Sequence, residues 1–135
     1  MKVLLDTHII LWAISDDIRL SNKARELILY KTNAVFYSTV SVWETTIKHM
    51  IKPDQIYINA EELVSYCSEM GYRNIPILNR HIKPLETLVF SPDKQIEHND
   101  PFDRLLIAQA KSEEIYLITS DTKIPYYHEK YVIPV

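Results

Sequence analysis

The chain has 135 residues, is 47% hydrophobic, and carries 15 Lys plus Arg against 18 Asp plus Glu, for a net charge of −3. That length suits one domain, residues 1–135, and the acidic balance excludes capture of nucleic acid by bulk attraction. A single glycine, Gly71, excludes the Gly-rich phosphate loops of dinucleotide and Walker-type folds.

Lys2 to Asp6, "KVLLD", is an apolar run suited to a buried strand, and Thr7 to Ser15 continues at helical spacing. Ser21 caps a second helix with Ala24, Leu27 and Ile28 on one face, ending near Lys31. "AVFYS" (34–38) is β-branched and aromatic and reads as a strand. The helix that follows gives Ser41 and Glu44 capping-box spacing and a Glu44–Lys48 pair, and stops at Pro53. A helix from Asn59 closes at Gly71. Residues 74–78 read as an edge strand because of Pro76. A short helix broken near Pro84 and a polar loop over 91–99 come next. In "HNDPFDRLLIAQA", Asp100 is placed as N-cap, Pro101 as first helical residue, and Asp103 three residues on. "IYLITSD" and "KYVIPV" supply the last strands. Alternation of strands with helices predicts an α/β fold, a central parallel β-sheet flanked by helices on both faces in an α/β/α sandwich.

In such a sheet, ligands bind beyond the carboxyl ends of the strands. Asp6 and Asp121 end strand-like runs there, Glu44 begins the helix after a strand, and Asp103, with Asp100, begins a helix that must run back from the same edge. Each has a structural reading as well: a cap for Asp6 and Asp100, a capping box for Glu44, a Ser-Asp turn for Asp121. Carboxylates crowded at one rim repel unless a cation neutralises them. Oxygen donors of this kind suit Mg²⁺ or Mn²⁺ and phosphodiester hydrolysis. No histidine pair or cysteine cluster has zinc spacing.

The ordered set "LLDTH", "SVWE", "DPFDRLLIAQA" and "LITSD" closely resembles PIN-domain proteins, in particular the VapC-type toxin ribonucleases of type II toxin–antitoxin systems. The resemblance covers essentially the whole chain. It implies a PIN-like fold, a Mg²⁺- or Mn²⁺-dependent endoribonuclease acting on RNA such as tRNA or rRNA, a cognate antitoxin that blocks the active site, and a homodimer. By position, Asp6, Glu44, Asp103 and Asp121 match the family's catalytic, metal-binding acids, and Asp100 matches a further acid of the "DPFD" subgroup. Thr7 and Thr119 match small hydroxyl positions that orient the acids, and Arg104 matches an arginine that counterbalances them or touches phosphate. One departure is "HND", where related sequences often carry "HRD".

His8 is expected to be buried or capping rather than a ligand, and His98 to be a loop residue; Trp12 and Trp43 suit core or partner packing. Lys48, Lys52, Arg73, Arg80 and Lys83 form either a local basic rim or a scattered solvated surface. Cys67, without an intramolecular disulfide partner, points to a buried thiol in a reducing, cytoplasmic setting. Asp6 and His8 interrupt the first apolar stretch, so neither a signal peptide nor a bilayer span of about 20 residues is expected. Two other readings compete: a PIN-like protein-binding module with negligible catalysis, and a phosphohydrolase using a strand-end aspartate. Haloacid-dehalogenase-like enzymes want a second Asp where His8 stands, which disfavours the latter.

Overall fold

The computed structural model describes residues 1–91 and 98–135. Five parallel strands form the sheet: β1 (Lys2–Leu5), β2 (Ala34–Ser38), β3 (Arg73–Ile75), β4 (Tyr116–Thr119) and β5 (Val132–Pro134), in the order β3-β2-β1-β4-β5. The six α-helices among the described residues are α1 (Thr7–Ile14), α2 (Asn22–Leu29), α3 (Thr39–Ile51), α4 (Ala60–Glu69), α5 (Asn79–Ile82) and α6 (Pro101–Glu113). Short 3₁₀ turns occupy Lys83–Thr87 and Ile124–Tyr127. The expected α/β/α arrangement is therefore the observed one.

Side chains of a strand point alternately to the two faces of a sheet, and here that alternation divides the core. Val3 and Leu5 join Ile9 and Ile10 of α1, Ala24 of α2, and Leu63 and Cys67 of α4 in one buried cluster. Leu4, between them, belongs to the other, with Leu117 and the buried face of α6 from Leu105 to Ala110. The central strand is buried on both faces, which is why it reads as an unbroken apolar run. Cys67 is fully buried, and desolvation pushes its thiol up to about 12, fitting an inert small hydrophobe.

Several boundaries differ from expectation for local reasons. The edge strand β3 is Arg73–Ile75 and not 74–78, because Pro76 has no N–H with which to continue the ladder. The 3₁₀ turn at Ile124–Tyr127 has no helical periodicity to announce it. The polar loop expected at 91–99 lies largely outside the described residues. The Ser41–Glu44 capping box does not form: α3 begins a turn earlier, capped by Ser38, whose Oγ accepts from Val40 N at 3.0 Å. A capping box not anticipated from the sequence forms instead between Asn59 and Glu62 at the start of α4. No described helix is long and apolar enough to cross a membrane.

Candidate metal centre

Register places the acids. Leu5 pairs with Tyr37 of β2 and with Ile118 of β4, so Asp6, Ser38 and Thr119 reach the carboxyl edge of the sheet at one level. Asp6 caps α1, its Oδ1 accepting from Thr7 N at 2.7 Å, while Oδ2 accepts from the Thr119 hydroxyl at 2.6 Å. Thr7 Oγ1 lies 2.7 Å from Glu44 Oε1 and 2.9 Å from Ser41 Oγ. Its one proton goes to the carboxylate, so Ser41 is placed to donate in turn. Glu44, only 2% exposed, also pairs with Lys48 one turn along α3. The two threonines thus tie the acids of β1 and α3 to the sheet edge.

The second group comes from the far side of the edge. Asp100 caps α6, its Oδ1 accepting from Phe102 N at 2.9 Å and Asp103 N at 3.0 Å. Asp103, in the first turn, meets His98 Nε2 at 3.1 Å. Asp121 follows β4 and accepts at Oδ1 from Lys123 N at 2.7 Å and more weakly from Ile124 N, the expected Ser-Asp turn. Among the described residues, a set of potential ligand atoms lying within 4.8 Å of one another comprises His98, Asp103 and Asp121. Asp6 and Glu44 stand outside that tight set, held by their threonines.

Electrostatics join the two groups. Burial pushes the Asp103 carboxyl up to about 8, reinforced by the charges of Asp6, Asp100, Asp121 and Glu44. Asp6 is raised to about 6, by desolvation first and by Glu44, against the lowering bonds from Thr119 and Thr7. Burial would lower the Lys48 ammonium, but its bond to Glu44 and the charges of Asp100 and Asp103 hold it above its ordinary value. The charges of all five expected acids therefore meet around Asp103, and that of Lys48 reaches the same group.

The remaining expected residues fall elsewhere. Arg104 does not turn to the acids; it reaches Tyr127 Oη at 3.3 Å and lies 5.8 Å from that ring's centroid. His8 is exposed, not buried, with its ring 5.8 Å from Trp12. Trp43 is half exposed and meets Phe102 edge-on at 4.7 Å. Arg80 is paired with Glu113. A groove of about 750 Å³ runs between α1 and α4, lined in part by Trp12, Arg19, Tyr57 and Tyr66.

His98 departs most from expectation. It lies in a loop, yet its side chain is buried against Tyr127, Oη to Nδ1 being 2.7 Å. Desolvation holds its imidazolium below the ordinary value, although Asp121 and Asp100 pull the other way. The one signal in the sequence was its place two residues before the cap of α6, beside the acids already singled out.

The PIN domain family model matches residues 3–130, and the chain belongs to that family. Fourteen chains of solved structures match it in fold. One is described as VapBC2 from Rickettsia felis bound to a DNA fragment from their promoter; it is 19% identical, covers 100% of this chain and 98% of that one, and superposes with a TM-score of 0.69. No curated protein matches in sequence. The family reached from "LLDTH", "SVWE", "DPFDRLLIAQA" and "LITSD" is the family whose model matches.

Proposed function

We propose that this PIN domain is a divalent-metal-dependent endoribonuclease of the VapC type, the toxin of a toxin–antitoxin pair. The state of Asp103 carries the reading. A carboxyl driven up to about 8 by burial and four neighbouring acids is a site short of positive charge. The donors present, carboxylates with one imidazole at the edge, fit a hard dication such as Mg²⁺ or Mn²⁺.

Asp6, Glu44, Asp103 and Asp121 would hold the ion directly or through water, and Asp100 would keep its duty as cap of α6 while adding charge. A bound ion of this kind supplies Lewis acidity, acidifying water and neutralising charge on a phosphodiester. Thr119 and Thr7 keep the Asp6 and Glu44 carboxylates oriented. Lys48 balances Glu44 and would offer its charge to a phosphate. The surrounding negative charge otherwise disfavours RNA, so neutralisation of the crevice is a condition of substrate binding.

The likeness to VapBC2 and the family membership support an antitoxin as partner, with a homodimer and a cytoplasmic setting following from the same reading. Pooled tRNA and rRNA incubated with partner-free protein in Mg²⁺, Mn²⁺ or EDTA, beside Asp6→Asn, tests it. Discrete fragments that require the ion and vanish in the variant are expected. Cleavage that survives both EDTA and Asp6→Asn would overturn the proposal.

A further inference from the structure

His98 is not among the four acids proposed above to hold the ion, yet both of its ring nitrogens have side-chain partners. Its Nε2 faces Asp103 Oδ2 at 3.1 Å, and a ring nitrogen lies within 4.8 Å of an Asp121 oxygen. Two ligands at right angles, each about 2.1 Å from one ion, stand about 3.0 Å apart. The other ring nitrogen is equally constrained. Tyr127 Oη lies 2.7 Å from Nδ1 and 3.1 Å from the main-chain oxygen of His98 itself, and Arg104 donates to the same Oη at 3.3 Å.

This two-way phenol lets a neutral ring carry its proton on either nitrogen. With Nε2 protonated, that nitrogen donates to Asp103 while the Tyr127 hydroxyl turns to Nδ1. With Nδ1 protonated, the ring donates to Oη, the hydroxyl turns to the His98 carbonyl, and Nε2 offers a bare lone pair to the crevice. One proton leaves Nε2 to water and one is taken up at Nδ1, so no net charge changes. A metal-binding histidine almost always has its other N–H fixed in this way.

We propose that His98 Nε2 is a ligand in the crevice, completing a site with Asp103 and Asp121 that takes a transition-metal dication, Mn²⁺, in preference to Mg²⁺. The inference rests on the reading of the crevice as a cation site and adds a ligand and an ion preference to it. Mg²⁺ seeks oxygen donors and surrenders water reluctantly, so a nitrogen ligand favours its competitor. Tyr127, held by Arg104, acts as a positioning residue that sets the ring's tautomer.

The test is Mn²⁺ binding by the partner-free protein, followed by electron paramagnetic resonance, with pulsed spectra read for ¹⁴N coupling. The parent is expected to show a directly bound nitrogen. His98→Gln should lose that coupling and bind Mn²⁺ about tenfold or more weakly, with Mg²⁺, measured by competition, affected less. Tyr127→Phe should retain the coupling with affinity lowered about tenfold. Melting curves without ion report whether either variant still folds, and the parent spectrum decides the matter if neither does. Mn²⁺ bound without nitrogen coupling, or a coupling that persists in His98→Gln, overturns the inference and leaves the nuclease reading standing. Failure to bind Mn²⁺ at millimolar concentration overturns both.

Discussion

The hydroxyl of Thr119 donates a 2.6 Å hydrogen bond to Asp6 Oδ2, joining residues 113 apart in sequence. Parallel pairing of β1 with β4 makes the two neighbours at the sheet edge, where the threonine is fully buried. The bond works against the desolvation that lifts Asp6 to about 6. Thr119→Val keeps the shape and removes the donor. The Asp6 carboxyl should then titrate higher still, and the fold should lose about 1–3 kcal/mol when Asp6 is ionised. Carboxyl ¹³C titration of the ion-free protein reads the first effect and denaturant unfolding the second; an unmoved Asp6 titration would show that the bond does nothing for the carboxylate.

The sheet and the placement of four acids at its edge were legible in the sequence because their signals are local. A strand buried on both faces reads as "VLL" or "YLI", and Asp-Pro before an apolar run marks a helix start. Glu44 was placed at the edge because its helix follows a strand, but the Ser41 capping box read as its structural alternative does not form: Ser38 caps the helix and the Ser41 hydroxyl goes to Thr7. His98 lies in a loop as expected, but its burial was not legible because its partner Tyr127 is 29 residues away, on a 3₁₀ turn without periodicity. Contacts between a loop and a turn leave no repeating pattern to read. The departure of Arg104 has the same origin, since Tyr127 draws it away from the acids.

Ser38 and Ser41 should separate stability from chemistry. Ser38→Ala removes the cap of α3 and should cost about 1 kcal/mol, shifting the urea midpoint while metal-dependent cleavage per folded molecule stays near the parent's. Ser41→Ala leaves the cap intact and removes support from Thr7, which orients Glu44. Cleavage should fall with little change in the midpoint. The reverse pattern would restore Ser41 as the cap.

Lys48 is the protein's own cation on Glu44, and its replacement tests whether an added ion reaches that carboxylate. Lys48→Met leaves Glu44 buried with Thr7 as its remaining side-chain donor. Lys48 is 40% exposed, so the cost is tempered by solvent to about 1–2 kcal/mol. In EDTA the variant should melt below the parent, and saturating Mn²⁺ should narrow the gap. A gap that is the same with and without Mn²⁺ would place the ion out of reach of Glu44.

The two raised aspartates set how the ion-free fold responds to pH. Asp6 and Asp103 titrate at about 6 and about 8 in the folded chain, against 3.8 for an exposed aspartate, so the folded state binds more protons than the unfolded one between those values. Their contribution is complete below about pH 4 and is lost as pH rises, first through the Asp6 range and then through that of Asp103. Asp17 and Glu113 are held low, so they withdraw stability only in acid, below this window. In EDTA the melting temperature should therefore fall from pH 5 to pH 8.5, by roughly 4 °C for each kcal/mol lost. A dication that neutralises the crevice should flatten the slope, adding about 2.7 kcal/mol when present at a hundredfold excess over its Kd. Asp103→Asn should flatten the upper half without any ion and melt above the parent at pH 8. A parent that gains stability with pH in EDTA, or an Asp103→Asn protein that melts lower at pH 8, would mean that burial and repulsion do not hold these carboxyls high in the folded chain.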